Sequence, residues 1–518
     1  MLVLLHNSLG FASNFEIVTN FFTGDSTTLF AHQLKKIFKT LDKKLSLIYT
    51  FKVICRSGGM ADAGDSKSPE GNFMWVRVPL SAPRRNSGNL SFLFYKGGLM
   101  QTIKIHPKLK DLEKEAMTTI APYLKKADEI CMANSKKVLE AFINNKITTE
   151  TFAEVTGYGF FDSGRDKVEA VFAEIFGTED ALVRPQIMSG TNAIWLTLSG
   201  LLHYGDTLLS ISGSPYVLLE NLIGTIGNSK HSLMNNGVKY EQLELTESSD
   251  FDYEKISSRL KTSYVKVVAI QRSRGYEKRD GLSIQQIEKV CNLIKSISPN
   301  TVIFVDNCYG EFVEEKEPTN VGADVMAGSL MHNAGGGIAT SGGYIAGRAD
   351  LIEEIAERFT APGIGKELGA NYNQHNKFLR GIYMAPQTVC NAIKTAIFSS
   401  FMFEKLGFKI SPRFDEHRTD IVQTVELESQ ANLEKFCAGI QMNSPIDSYF
   451  TPVPCEVPGY PHEEIMAAGN FTNGSTIELT CDAPVIPPWT AFLQGSLTFE
   501  YGKLIIMGAL THLLGENL

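Results

Sequence analysis

The sequence predicts an α/β protein: a large domain on a mostly parallel sheet, followed by a smaller α+β C-terminal domain. Short apolar runs rich in β-branched residues, DTLLSIS at 206–212, VKVVAI at 265–270 and TVIFVDN at 301–307, alternate with helical stretches such as IQQIEKVCNLIKSI at 284–297. Alternation of this kind belongs to a parallel sheet covered on both faces, whose strands are buried on both sides and joined by crossover helices. After about Pro386 the texture changes. The helical stretch AIKTAIFSSFMFEKLG gives way to shorter strand-like pieces spaced by prolines, TIELT at 476–480 among them.

Taken in order, residues 1–99 carry no sustained period, and SGGMADAGDSKSPEGNFMWVRVPLSAPRR at 57–85 resembles the accidental translation of a transfer-RNA gene. This segment is expected to be a spurious or disordered extension, with a start at Met100. Residues 100–150 read as an N-terminal helical segment, patterned from Leu112 to about Asn144. The large domain is expected over 151–385. Within it GRDKVEAVFAEIFG sets Val168, Val171, Phe172, Ile175 and Phe176 on one helix face and stops at Gly177. Residues 386–518 are expected to form the small domain.

A chain of 518 residues, 43% hydrophobic and 20% charged, is long enough for two or more cores. Its 49 basic and 57 acidic side chains leave a net charge of −8, which gives no general attraction to nucleic acid or anionic lipid. The eight cysteines form no C-x-x-C pair, a pattern that suits free thiols in a reducing cytoplasm and offers no metal site. No apolar run approaches the roughly 20 residues needed to span a bilayer. The opening MLVLLHNSLGF lacks a basic leader, so it is not read as a signal peptide.

Several groups could carry chemistry. VIFVDNCYGEF ends an apolar run in Asp306, which places a carboxylate at a strand's C-terminal edge, where open α/β sheets bind ligands; alone, such an Asp equally suits a cap or loop. Ser189-Gly190-Thr191 precedes the helical stretch AIWLTLSGLL, where free N–H groups and the positive dipole end attract phosphate, although it is also an ordinary N-cap. The glycine cluster from Gly328 to Gly337, with Ser329 and His332 inside it, permits close approach of backbone to a ligand or forms a flexible loop. Tyr158 and Arg165 make an aromatic-plus-basic group. Arg272 and Arg274 follow a buried run and suit either an anion or a structural ion pair.

In order and spacing, TGYGFFDSGRD, IMSGTNAI, GSPY, IQRSRGY, IFVDNCYGEF, GADVMAGSLMHNAGGGIATSGGYIAGR and QGSLTFEYGK resemble the methionine gamma-lyase family, also labelled aluminium resistance proteins. The likeness covers residues 110–518. It implies a PLP-dependent transferase-like fold (fold type I, PLP being pyridoxal 5′-phosphate) and a homodimer or dimer of dimers with shared active sites. It also implies carbon–sulfur bond cleavage, or related Cys/Met metabolism, on a small amino-acid substrate. By resemblance Ser189, Gly190, Thr191 and Ser329 cup the phosphate, Tyr216 stacks on the pyridine ring and Asp306 holds its nitrogen. Tyr158 and Arg165 reach over from the neighbouring subunit, and Arg272 and Arg274 line the pocket.

The chain departs from that pattern at the centre of the chemistry. His332 stands where the family has the lysine that forms the imine with PLP, and an imidazole supplies no primary amine. Any PLP is therefore expected to be non-covalent, with His332 and Tyr216 left as catalytic candidates. Asn192 replaces a histidine, Val217-Leu218 an Asp-Thr pair, and Ile486 an arginine suited to a substrate carboxylate. Lys278 and Lys366 are the lysines that could substitute. Two expectations follow: a lyase of altered chemistry, or a catalytically silent relative that keeps the dimeric fold for binding or regulation.

Overall fold

The computed structural model describes residues 102–515, together with three short strands, Phe15–Ile17, Thr50–Ile54 and Phe73–Arg77, that pair in a sheet of their own. Met1–Leu99 and Met100–Leu518 are separate compact units. The expectations placed on residues 1–99 otherwise lie outside the described residues.

The large domain is built on a seven-stranded sheet. Its strands are β1 (Asp180–Arg184), β2 (Thr207–Ser210), β3 (Lys239–Gln242), β4 (Val267–Gln271), β5 (Val302–Asp306), β6 (Val325–Ser329) and β7 (Gly343–Gly347). They lie in the order β1-β7-β6-β5-β4-β2-β3, and β7 alone runs antiparallel to its neighbours. The three apolar runs became β2, β4 and β5. Strand β6 takes in only the start of the glycine cluster, Gly328 and Ser329; the rest, through Gly337, lies in the connection that carries His332, and β7 begins beyond it. Gly328 pairs with Tyr344, and a Cβ at Gly328 would sit 2.5 Å from Glu311 Oε1 and 2.6 Å from the Tyr344 hydroxyl. Glycine here makes room for two large side chains beneath the strand, a demand that composition cannot reveal.

Helices cover the sheet. The single helix expected from Leu112 is two, α1 (Pro107–Thr119) and α2 (Ala121–Asn144), because Pro122 has no N–H to continue the first and suits the opening of the second. Next come α3 (Ser163–Phe176), ended by Gly177 at φ 64, α4 (Gly190–Leu201), α5 (Val217–Ile223) and α6 (Tyr253–Thr262). Helix α7 (Ile284–Ile297) fills the expected range and opens with a capping box between Ser283 and Gln286. After α8 (Ala349–Phe359), the 31-residue α9 (His375–Lys405) runs straight through the boundary expected at 385/386, with Pro386 buried inside it. The two domains therefore share one helix.

The small domain carries a six-stranded antiparallel sheet, β8 (Lys409–Ser411), β9 (Gln423–Glu426), β10 (Cys455–Glu456), β11 (Glu463–Ala468), β12 (Thr480–Pro484) and β13 (Thr490–Gln494), in the order β8-β9-β13-β12-β11-β10. Helix α10 (Gln430–Asn443) packs on it, and α11 (Phe499–Leu514) packs on α10 and α9. The strand expected at 476–480 is instead a 3₁₀ turn, Thr476–Glu478, before β12; Leu479 at φ 91 breaks the extended run. Among the described residues no helix is long and apolar enough to cross a membrane.

Candidate active site

Gln271, Asp306 and Ser329 are the last residues of β4, β5 and β6, and all three line one cavity of about 960 Å³. Parallel strands bring their carboxyl ends to one edge, which is why ligand sites of open α/β sheets lie there. The opposite wall comes from the small domain, through Thr424, Glu426, Thr490, Phe492 and Gln494.

One end of the cavity is built for an anion. Ser189 caps α4, its hydroxyl oxygen accepting from Asn192 N at 3.1 Å, while Gly190 and Thr191 open the helix. Ser329 Oγ likewise accepts from Met331 N at 3.0 Å. Both hydroxyls keep their hydrogen for an incoming ligand, beside the unpaired N–H groups and positive dipole of the helix start. Gly190 is needed for the fit: a Cβ there would stand 2.9 Å from Cys308 Sγ and 3.2 Å from Ser329 Cβ.

Asp306 sits deeper. One carboxylate oxygen accepts from Cys308 N at 3.1 Å, and burial pushes its pKa up to about 6. That hydrogen bond and the Arg279 guanidinium oppose the shift. Arg279 itself donates to the Gln271 and Ser273 carbonyls at 2.9 and 2.6 Å. A buried carboxylate short of a counter-charge suits a ring N–H that would bring one. Tyr216 lines the same wall. Its hydroxyl is hydrogen-bonded to Thr191 Oγ1, its backbone N donates to Gln271 Oε1 at 2.9 Å, and burial keeps its phenol well above the usual range.

His332 also lines the cavity. Its Nδ1 is hydrogen-bonded to Thr476 Oγ1, and its ring packs on Tyr309 with centroids 4.4 Å apart. Burial pushes its pKa down to about 4, so it is a neutral imidazole near pH 7. Tyr309 is held at φ 69, a conformation non-glycine residues rarely adopt and that clusters at functional sites.

Other expected residues lie elsewhere. Arg272 does not line the cavity. It is fully buried, donating to Asn307 Oδ1 at 2.8 Å and the Gly310 carbonyl at 2.9 Å, and it pairs with Glu314 at 2.8 Å and Glu317 at 3.4 Å. Two carboxylates, the buried Glu317 and the partly buried Glu314, compete successfully for a guanidinium that the sequence alone could equally aim at a ligand. Arg274 does reach the cavity, with Nη1 donating to Ser411 Oγ at 2.9 Å. Arg165 is buried and donates to the carbonyls of Gly157 and Gly159, bracing the loop that leaves Tyr158 65% exposed; neither residue lines the cavity within this chain. Lys366 is tied to Asp180 and lies 3.6 Å from Glu169, outside the cavity. Lys278 lines its wide mouth, with Nζ 3.7 Å from Glu426. Ile486, Val217 and Leu218 form apolar wall. Arg279, Tyr309 and Thr476 were not anticipated. Arg279 had only a nearby basic motif as signal, and Thr476 had none, since it meets His332 from across 144 residues.

This sheet order, with one antiparallel strand and a cavity at the carboxyl edge, is the fold-type-I architecture of pyridoxal-phosphate-dependent enzymes. The solved PLP-dependent protein YhfS of Escherichia coli shares the fold, with TM-score 0.50 over 75% of this chain and 97% of that one, at 16% identity. The chain belongs to the methionine gamma-lyase family, whose model matches residues 109–514. YnbB of Bacillus subtilis, itself uncharacterized, is 42% identical over 79% of this chain and 97% of its own length. The crystal structure of a carbon–sulfur lyase involved in aluminium resistance from Clostridium novyi is 42% identical, with TM-score 0.76 over 79% of this chain and 96% of that one.

Family membership implies PLP. The cavity fits the non-covalent part of that cofactor's needs: hydroxyl and N–H donors for a phosphate, a buried carboxylate for a ring nitrogen, and an aromatic wall. For the covalent part the cavity lining holds one lysine, Lys278 at the mouth, and His332, expected from the sequence at the imine-forming position, offers an imidazole.

Proposed function

We propose that the chain is a carbon–sulfur-lyase-type protein that holds a pyridoxal-type cofactor non-covalently and has given up lysine-dependent cleavage of sulfur amino acids. The observation that carries this reading is the neutral His332, held by Thr476 and Tyr309 in the wall that also bears Asp306. Ser189, Gly190, Thr191 and Ser329 would hold the phosphate, Asp306 the ring nitrogen and Tyr216 the ring face. When bound, the cofactor supplies an electron sink. His332 can hold or pass a proton at Nε2 but cannot anchor an aldehyde. Ile486 adds no charge for a substrate carboxylate. We further infer a cytoplasmic homodimer or dimer of dimers; Tyr158, Phe160 and Phe161, at 65%, 63% and 87% exposure, form an aromatic loop that a neighbouring subunit would cover.

Lys278 favours a second reading, a lyase whose amine comes from a new position, since it lines the same cavity. One experiment separates the two. The protein is loaded with PLP, reduced with borohydride and mapped by mass spectrometry. We expect no pyridoxyl-lysine from the cavity; a label on Lys278 would establish the lyase instead. The His332→Lys/Ile486→Arg double variant is expected to gain a stable yellow, reducible adduct at the first substituted position.

A further inference from the structure

We propose that the cavity takes its cofactor as the amine, pyridoxamine 5′-phosphate, in preference to the aldehyde, with His332 and Tyr309 receiving the amino group. This rests on the reading above that the cavity holds a cofactor of the pyridoxal type. The aldehyde gains in such a cavity chiefly by condensing with a protein amine. Among the described residues lining the cavity, Lys278 is the only lysine, and Glu426 stands 3.7 Å from its Nζ at the mouth. What the wall offers in place of an amine is an acceptor. Thr476 Oγ1 occupies Nδ1 and orients the ring, which leaves Nε2 as the nitrogen for a ligand; in the tautomer with Nδ1–H donating to Thr476, Nε2 presents its lone pair to a donor. Burial keeps that imidazole uncharged near neutral pH, so it does not repel an ammonium group. The Tyr309 ring, packed against it, adds an aromatic face that attracts cations. An aldehyde has no N–H to give to Nε2 and no positive charge for the ring, whereas a protonated amine has both.

The amine form also fixes a substrate class. Once it had released its extra proton to solvent, such an amine would condense with a carbonyl compound, forming a C=N bond while the carbonyl oxygen left with the two remaining N–H hydrogens as water, with no amine needed from the protein. The partner substrate is then an aldehyde or ketone rather than an amino acid. Ile486, apolar in the cavity wall, makes no demand for a carboxylate on it.

The test is a calorimetric titration of the full chain with pyridoxamine 5′-phosphate, PLP and inorganic phosphate. We expect pyridoxamine phosphate to bind at least about tenfold more tightly than PLP, a difference of about 1.4 kcal/mol. His332→Lys should reverse the order. PLP binding as tightly as the amine, or more so, would overturn the preference and leave the cofactor reading standing. If neither compound binds better than inorganic phosphate, the cofactor reading itself falls, and the inference with it.

Discussion

Glu311 shows how a residue next to the site can govern stability without touching a ligand. It lies under β6, fully buried, with Oε1 accepting from the Tyr344 hydroxyl at 2.8 Å and Oε2 without a partner. Desolvation pushes its pKa up to about 8, whereas an unfolded glutamate titrates near about 4.3. Between those values the folded chain holds a proton that the unfolded chain has lost, so folding stability declines as pH rises through the window. His332 works in the opposite direction. With its pKa pushed down to about 4, it costs stability as pH falls from about 6.5, because only the unfolded chain can then charge it freely. Glu311→Gln removes the alkaline decline while keeping the shape of the side chain. In thermal melts the advantage of the variant over the parent should grow between pH 5 and pH 9 by upwards of about 1 kcal/mol. Parallel melting curves for the two proteins across that range would mean that Glu311 is ionised in the fold at no cost.

Among the elements, the loop that carries His332 and helix α9 meet backbone to backbone. A Cβ on Gly336, which sits at φ +57, would lie 2.2 Å from the Gly381 carbonyl, and a Cβ on Gly381 would lie 2.5 Å from the Gly335 carbonyl. Neither neighbour is a movable side-chain tip, so the helix and the loop that carries His332 leave no room between them for a side chain. Gly381→Ala should lower stability by about 1–3 kcal/mol through overpacking and weaken cofactor binding with it. Lys230→Ala, an exposed change outside the cavity and the aromatic loop, is the control, and a change within about 0.5 kcal/mol is expected. Chemical denaturation of both variants, with pyridoxamine phosphate titrations alongside, gives the comparison. A neutral Gly381→Ala would show that the loop can slide along the helix.

For the whole molecule, the described core of residues 100–518 is one compact unit spanning both sheets, and α9 runs through both domains. The cavity lies between those sheets, so a ligand bridging Asp306 and the small-domain wall would tighten the molecule as one body. Shortening the chain to begin at Met100 should leave a single cooperative melting transition and unchanged cofactor affinity, read by calorimetry. Insoluble protein from that shortened chain would show that residues 1–99 contribute to folding.

Much of this was legible because local patterns and local needs agreed. Helix α7 carries its own capping box and apolar stripe, α3 its own stop at Gly177, and the strand ending in Asp306 its own run of β-branched residues, so neighbours in sequence were enough to fix them. The order of motifs and the histidine at position 332 were likewise present in the sequence, since which functional group a position carries is a covalent fact. Tertiary structure alone decided the rest. It determined that Gly328 and Ser329 end a buried strand while the rest of the glycine cluster stays in a loop, because only packing against Glu311 and Tyr344 demands glycine at 328. It drew Arg272 into the core, because two carboxylates from a distant turn neutralise it. It also brought Thr476 from the small domain to Nδ1 of His332, an orientation no local pattern encodes, since hydrogen bonds between residues far apart in the chain exist only after the chain has folded.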